Sequence, residues 1–198
     1  MSLDFKKMQE TLQGIYQRYE SEAGQFKEQA VCGRGCSFCC SDMGKIDIVT
    51  VEGIILLERM EFMPETEAKE ISQGLERDRT LRWKGKKSTC PFLDEQGACR
   101  VYHVRPFSCR QLYSLRKCDQ GGPLVHKQAV SLVRKIVRDI QKLDDTGYSG
   151  HHSFILKLLQ NQTFRNTYSA GGFDPGSIKK FGKKHGIIIN RFAKELYR

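Results

Sequence analysis

Four cysteines fall within nine residues of this chain, in the segment from Cys32 to Cys40. Thiols at this density either oxidise to disulfides or surround a metal, and soft thiolates select zinc, copper(I) or iron–sulfur clusters. Four further cysteines follow at wider spacing, and none occurs after residue 118. Cysteines that served only as small apolar core residues would be spread more evenly, so the sequence predicts a metal site. The predicted metal ligands are Cys32, Cys36, Cys39, Cys40, Cys90, Cys99, Cys109 and Cys118.

Spacing alone does not identify the occupant of this predicted site. Eight thiolates could complete two tetrahedral zinc sites, or hold one four-cysteine iron–sulfur cluster and leave four sulfurs for a second centre. The expected cofactor is therefore an iron–sulfur cluster or zinc. Cys39 and Cys40 are adjacent, and adjacent side chains point in different directions in regular backbone. They are expected to serve two different centres, or one of them is a free reactive thiol.

The sequence gives no sign of secretion or of membrane insertion. Residues 1–7 lead into polar sequence and lack the apolar segment of a signal peptide. The longest compact apolar runs, at 54–57 and 187–189, are too short to cross a bilayer. The expected location is the cytoplasm, where thiols stay reduced and clustered cysteines more often bind metal than form disulfides. A disulfide framework is the less favoured alternative.

The chain is basic, with a formal net charge of +10. Metal-bound thiolates would offset part of this excess. The basic residues are scattered, with short clusters at 84–87 and 179–184, which is more typical of a solvated surface than of a nucleic-acid footprint. The expected partner is an unidentified protein or small molecule, nucleic acid is less favoured, and no membrane partner is expected.

Helical periodicity dominates outside the cysteine groups. Apolar residues at three- and four-residue steps predict helices over 3–28, 125–143 and 153–168, and another from Pro64 to about Arg79. Residues 46–60 alternate at first and then become helical. A loop is predicted over 144–150, and shorter helices are predicted from Ser177 to near Tyr197.

The second cysteine group predicts a small β-hairpin. Two short strands, 90–93 and 98–102, flank the turn sequence 94–97. With Leu93 opposite Ala98, the side chains of Cys90 and Cys99 share one face as diagonal neighbours, roughly 7–8 Å apart at Cα. A helical turn is predicted after Pro106. It would place Cys109 near a helix N-terminus and make it a candidate low-pKa thiolate.

Together these elements predict a mainly α fold, a helical domain with a small cysteine-bearing hairpin and irregular metal-binding loops. We expect a single domain over residues 1–198. Its cysteine-bearing metal-binding core is expected at about 30–120, and the remaining part, 121–198, is expected to be helical.

The cysteine pattern resembles that of the CxxCxxCC (YkgJ-like) cysteine-cluster family over roughly residues 30–120. The matching elements, in order, are Cys32 to Cys40, Cys90 to Leu93, Cys99 to Tyr102, Arg105 to Arg110, and Cys118. Three residues separate Cys32 from Cys36, where the family's name implies two. The resemblance implies chelation of zinc or iron. A flagellin lysine methylase carries a similar cluster, so protein methylation is one activity that the resemblance implies.

Arginines and histidines accompany the cysteines. Arg105 and Arg110 flank Cys109, and their forked donors cannot deprotonate. We expect them to hydrogen-bond near the metal or to fix the adjacent loops, with ordinary surface pairs as the alternative. Histidines are less favoured as ligands because the thiols already suffice; those considered are His103, His126, His151 and His152.

No phosphate-binding loop, nucleophile elbow, dinucleotide fingerprint or His–Glu metalloprotease spacing is present. The sequence therefore identifies no catalytic residue. The expected function is that of a cytoplasmic metal-binding protein whose iron–sulfur cluster or zinc serves redox or modification chemistry. One alternative is a structural-zinc module that binds a protein or nucleic acid. The other is an enzyme similar to a protein lysine methylase.

Overall fold

The computed structural model describes residues 2–33, 35–41, 45–172, 176, 182 and 184–195. This part is mainly helical, which confirms the predicted fold class. Its α-helices are α1 (Phe5–Lys27), α2 (Phe38–Ser41), α3 (Thr50–Glu61), α4 (Glu65–Trp83), α5 (Phe107–Arg110), α6 (Lys127–Leu143), α7 (His152–Leu159) and α8 (Gln162–Ser169). Its strands are β1 (Asp47–Val49), β2 (Tyr148–His151) and β3 (Ile188–Ile189). Short 3-10 helices span Tyr102–Val104, Cys118–Gln120 and Asn190–Glu195.

The long N-terminal helix α1 packs on α6. Asp4 caps its start, where the side chain accepts a hydrogen bond from the Lys7 amide at 3.0 Å. Its buried residues recur at three- and four-residue steps, so they form one stripe facing the core. In that core Ile136 and Ile140 of α6 and Phe107 of α5 join the stripe. The members of the stripe are Met8, Leu12, Tyr16, Tyr19 and Ala23.

A three-stranded antiparallel sheet of order β1-β2-β3 lies between the helices. Strand β1 lies where the sequence alternates at the start of residues 46–60. The loop predicted over 144–150 is wrong, because strand β2 begins at Tyr148 and pairs Gly150 with Ile48. All four residues of β2 are buried. A short strand buried on both faces shows no alternation, so the period-two signal was missing.

Helix α7 packs closely on α3 at Gly53. A Cβ atom at Gly53 would lie 2.7 Å from Leu159 Cδ1, so a larger residue there would force the Leu159 side chain to shift. The single helix predicted over 153–168 is in fact two, because the Asn161 side chain accepts a hydrogen bond from the Phe164 amide and caps a new helix, α8.

The predictions for α4 and for the C-terminal helices differ from the structure. The prediction for α4 stopped at about Arg79, whereas the helix continues to Trp83. Of the two helices predicted from Ser177 to near Tyr197, the first lies mostly outside the described residues. In place of the second, the described residues form strand β3 and the 3-10 helix Asn190–Glu195. Within the described part, none of the helices combines the length and the apolar character that a bilayer crossing requires.

Asp144 is a buried carboxylate at the junction of three helices. Its Oδ1 accepts a hydrogen bond from the Tyr168 hydroxyl of α8 at 2.6 Å. Its Oδ2 accepts one from the Val51 amide of α3 at 3.1 Å. Burial raises the pKa of Asp144 to about 7, and the two hydrogen bonds only partly oppose this effect.

This carboxyl predicts a specific pH dependence of stability. The folded state binds the Asp144 proton more tightly than the unfolded chain, where the pKa is the ordinary 3.8. The stabilisation is therefore fully present below that value and is lost as pH rises through about 7. We expect a decrease in the free energy of unfolding of up to about 1.4 kcal/mol per pH unit across this window. Urea unfolding at a series of pH values measures it.

Asp144→Asn is expected to flatten this pH profile relative to the parent. Asp145→Asn is the matched control, because Asp145 forms only a half-exposed pair with Arg191 at 2.7 Å. Contributions from other titrating groups are common to all three proteins, so they cancel in the comparison. A profile for Asp144→Asn parallel to that of the parent would contradict the prediction.

Candidate metal centre

All eight cysteines are free thiols, and they divide by the thiols they neighbour into two groups. The inner cysteines are half-buried and come from four places in the chain. They are Cys39, Cys40, Cys90, Cys99 and Cys109. The outer cysteines are Cys32 and Cys36, which are exposed, and Cys118, which is half-buried.

The two cysteine-bearing regions of the sequence meet at the inner cysteines. The Cys90 amide donates a hydrogen bond to the Cys40 carbonyl at 2.8 Å, so the first cysteine loop is tied directly to the second. The thiol of Cys109 interacts electrostatically with Cys90, Cys99 and Cys39. Sulfurs that are distant along the backbone therefore share one region of the structure.

Cys39 and Cys40 lie side by side on the short helix α2, with their sulfur atoms 4.0 Å apart. The expectation that adjacent cysteines point in different directions is therefore wrong here, because the side-chain rotamers bring the sulfurs together. A metal ion with four sulfur ligands at about 2.3 Å in tetrahedral geometry has sulfurs about 3.8 Å apart. One ion can thus bind both thiolates with little movement.

The predicted hairpin exists only as an isolated bridge, and its register differs from the prediction. Leu93 pairs with Cys99 rather than with Ala98. The Asp94 side chain accepts hydrogen bonds from the amides of Gln96 and Ala98, which fixes the turn one residue away from the expected position. The prediction of two strands with Leu93 opposite Ala98 is therefore wrong.

Cys90 nevertheless lies beside Cys99, for a reason other than strand alternation. The chain turns at Cys90, where the Leu93 amide donates to the Cys90 carbonyl at 3.1 Å. This turn brings the Cys90 thiol within electrostatic reach of Cys99 and Cys39. The proximity expected from the sequence is thus present, while the geometry that predicted it is not.

Cys109 is not the low-pKa thiol that the sequence predicted. Burial raises the pKa of Cys109, and the neighbouring inner thiols raise it further. Helix α5 has only four residues, so its N-terminal dipole is too weak to compensate. Burial also raises the pKa of Cys90 to about 12. Without a cation these thiols are protonated at neutral pH, so metal binding must release protons.

Cys39 is the exception among the inner thiols. A hydrogen bond with the Cys40 side chain lowers the pKa of Cys39 to about 6. The positive charge of Arg105 lowers it further. Cys39 is therefore the inner thiol that loses its proton most readily and the first of the inner sulfurs ready to bind a cation.

The outer cysteines continue the thiol cluster to the surface. The thiol of Cys32 interacts electrostatically with Cys36, Cys118 and the inner Cys39. The Val31 amide donates to the Ser114 carbonyl at 2.8 Å and holds the Cys32 segment against the segment before Cys118. The eight thiols thus form one continuous region with a solvent-facing edge.

Arg105 and Arg110 take different positions around this region. Burial raises the pKa of Cys99, and the Arg105 guanidinium opposes that rise. The Nε of Arg105 is buried and has no hydrogen-bond partner within the described residues, so it can donate to a metal-bound sulfur. Arg110 instead donates to the carbonyls of Arg105 at 2.9 Å and His103 at 3.2 Å, which fixes the loop before Cys109.

A buried carboxylate that the sequence did not single out supports the same loop. Glu52 on α3 accepts hydrogen bonds from the Tyr16 hydroxyl, from the Phe107 amide at 2.7 Å and from the Val49 amide at 2.9 Å. Phe107 begins the turn that carries Cys109. A glutamate on an amphipathic helix looks like a surface residue, so no sequence signal distinguishes it.

The fold and this site define a mainly α-helical domain with a solvent-facing cysteine cluster of the kind that chelates metal. The CxxCxxCC family model, described as a putative zinc- or iron-chelating domain, matches residues 31–129, which is half of the chain. The chain belongs to this family. No curated protein and no solved structure matches it. The division into a core at 30–120 and a helical remainder stays a prediction.

Proposed function

We propose that this protein binds a thiolate-ligated iron–sulfur cluster through its inner cysteines and uses it for redox chemistry. The observation that carries the proposal is the meeting of five thiols from four places in the chain, with the sulfurs of Cys39 and Cys40 only 4.0 Å apart. The outer cysteines complete the set of eight proposed ligands, either at a second centre or as exchangeable ligands at the solvent edge.

The short distance between Cys39 and Cys40 favours particular occupants. In a four-iron cluster with four cysteines each iron takes one thiolate, whereas in a two-iron cluster each iron takes two. A single zinc ion takes up to four. Two sulfurs 4.0 Å apart suit an ion that binds both of them, which supports a two-iron cluster or a zinc ion over a four-iron cluster.

Access from solvent favours the two-iron cluster. Structural zinc sites are closed, with four protein ligands and no route for a reactant. Here Cys32 and Cys36 are exposed, and the Cys32 thiol interacts electrostatically with both Cys36 and the inner Cys39. The centre therefore has an edge at the surface. An electron donor or acceptor, either a protein or a small molecule, can approach there.

A structural zinc ion is the second candidate, and one observation favours it. Cys90, Cys99 and Cys109 pack against the main hydrophobic core, next to residues such as Phe92 and Val101. A zinc ion bound there would cross-link loops that contain little regular secondary structure. The protein would then be a binding module for a protein or nucleic-acid partner.

We also propose that the protein works in the cytoplasm. All eight cysteines are free thiols, and thiolate metal centres need a compartment that keeps cysteine reduced. The clustered thiols would otherwise oxidise to disulfides in competition with metal binding.

Anaerobic purification of the full chain, with metal and labile-sulfide analysis and a visible spectrum, tests the proposal. Iron with sulfide and visible absorption supports the iron–sulfur cluster. A colourless protein with zinc supports the structural alternative. A protein that binds neither metal after anaerobic reconstitution contradicts both.

A matched pair of variants tests whether Cys39 on α2 is a ligand of the bound metal. Cys39→Ser is expected to lose the metal, because serine replaces the only inner thiol whose pKa is lowered. Ser41→Ala on the same short helix removes an exposed hydroxyl and is expected to retain it. Equal metal content in the two variants would contradict the assignment of Cys39 as a ligand.

A further inference from the structure

A second group of metal-binding side chains lies apart from the cysteines. Asp78 of α4, His151 of β2 and His152 of α7 are 1%, 5% and 2% exposed. One ligand atom of each residue lies within 4.8 Å of the ligand atoms of the other two. Burial removes the polar atoms of all three side chains from water, so each of them needs polar partners inside the fold.

The fold holds the two histidines in place through the sheet. The strand pairing sets His151 opposite Asp47 of β1. The next residue, His152, donates its amide to the Ile46 carbonyl at 2.9 Å. Both histidines are thus fixed by backbone hydrogen bonds at the start of α7, which packs against α4.

The carboxylate is held equally firmly from its own helix. Both oxygens of Asp78 lie 3.0 Å from Arg82 Nε, and the Ser88 hydroxyl donates to Oδ1. Oδ2 lies 3.4 Å from His151 Nδ1. Ligands 2.0–2.1 Å from a tetrahedral ion are about 3.3 Å apart, so this pair already has the spacing of two ligands of one ion.

His152 supplies a second observation that points to a ligand. Its Nδ1 lies 3.4 Å from the Ile46 carbonyl, whereas its Nε2 is buried and has no hydrogen-bond partner in the described part of the chain. Because the Ile46 carbonyl can only accept, the ring proton belongs on Nδ1, and Nε2 then carries a lone pair. A buried nitrogen left unpaired is costly, and a bound cation would remove that cost.

We propose that Asp78, His151 and His152 form a second metal site, which binds a divalent transition-metal ion such as Fe²⁺ or Zn²⁺. Two imidazoles and one carboxylate are the donor set of non-haem iron sites and of catalytic zinc sites. Three protein ligands leave coordination positions open for water or a substrate. The site is thus suited to chemistry at an open coordination position of the metal.

The surroundings of this site provide access and charge balance. Asp78 lines a cleft of about 440 Å³, and His151 lines a second cleft of about 430 Å³, so two of the three proposed ligands border clefts. Asp78 also interacts electrostatically with Cys90. The thiolates of the cysteine centre therefore offset part of the charge that a divalent ion adds beside Arg82.

Cobalt(II) binding to the full chain tests this site. Thiolate-bound Co²⁺ gives intense sulfur-to-metal bands in the near ultraviolet, whereas Co²⁺ bound by nitrogen and oxygen gives only weak visible bands. We expect the parent protein to bind one more Co²⁺ than its sulfur bands account for. His152→Gln should weaken that additional binding by more than about 100-fold and leave the sulfur bands unchanged.

His126→Gln is the matched control, because His126 is a half-buried histidine whose ring contacts Tyr113 and Phe26 instead. It should retain the additional Co²⁺. Full additional binding by His152→Gln overturns the proposal. If His152→Gln fails to fold, X-ray absorption of the Co²⁺-loaded parent protein replaces it as the test. A fraction of the cobalt with only nitrogen and oxygen neighbours supports the site. Sulfur neighbours around all of the cobalt overturn the proposal. A parent without sulfur bands refutes the cysteine centre and leaves this test valid.

Discussion

Cys90→Ser and Cys109→Ser are expected to release metal from the cysteine centre and to lower the melting temperature by about 8–16 °C. Metal that binds only the folded chain stabilises it by about 4 kcal/mol when present at about 1,000 times its dissociation constant. Each kcal/mol shifts the melting temperature of a chain of this size by about 2–4 °C. The Cys90 and Cys109 thiols both lie among the other inner thiols. A serine hydroxyl in either place does not ionise at neutral pH and does not bind a soft metal.

Cys32→Ser is the control for this pair, because Cys32 is exposed at the edge of the cluster. It should retain the inner metal and melt within a few degrees of the parent. Metal analysis and thermal unfolding, with and without a chelator, measure the effect. The assignment of the inner cysteines is wrong if Cys90→Ser and Cys109→Ser keep their metal and melt like the parent.

Glu52→Ala is expected to lower the free energy of unfolding by about 3–9 kcal/mol, because it leaves three buried donors without an acceptor. The Tyr16 hydroxyl and the amides of Val49 and Phe107 all donate to this carboxylate. Each orphaned donor costs about 1–3 kcal/mol. Since Phe107 begins the turn that carries Cys109, metal affinity should fall as well.

Glu58→Ala on the same helix is the matched control for Glu52→Ala. Glu58 is exposed, and the structure gives it one hydrogen bond, from Gln9 at 2.9 Å. Its removal should change stability by about 0.5 kcal/mol or less. Urea unfolding and metal titration of both variants decide the matter. Similar losses in the two variants would show that the buried network of Glu52 does not support the metal loop.

Long periodic segments of the sequence predicted the fold well. The helix predicted over 3–28 is α1 at Phe5–Lys27, and that over 125–143 is α6 at Lys127–Leu143. Each presents a continuous apolar stripe, so one local signal determines both its type and its bounds. The cysteine pattern likewise predicted the family, because several spaced elements agree in order.

Features that depend on tertiary contacts could not be predicted in this way. Strand β2 has no alternation because both of its faces are buried. The hairpin register depends on the amides from which the Asp94 side chain accepts hydrogen bonds. The raised pKa of Cys109 depends on its burial among other thiols. Asp78 has the spacing of an ordinary helix residue, and only the folded chain brings it to His151.

The inner thiols come from positions 39 to 109, and helices α3 and α4 separate Cys39 and Cys40 from Cys90 along the chain. During synthesis the N-terminal part of a chain is available first, so Cys39 and Cys40 emerge well before the residues that complete their coordination sphere. With the proposed ligands, the inner coordination sphere is complete only once Cys109 has been synthesised. A delivery factor that recognised the CxxxCxxCC peptide alone would meet only two of the five inner thiols.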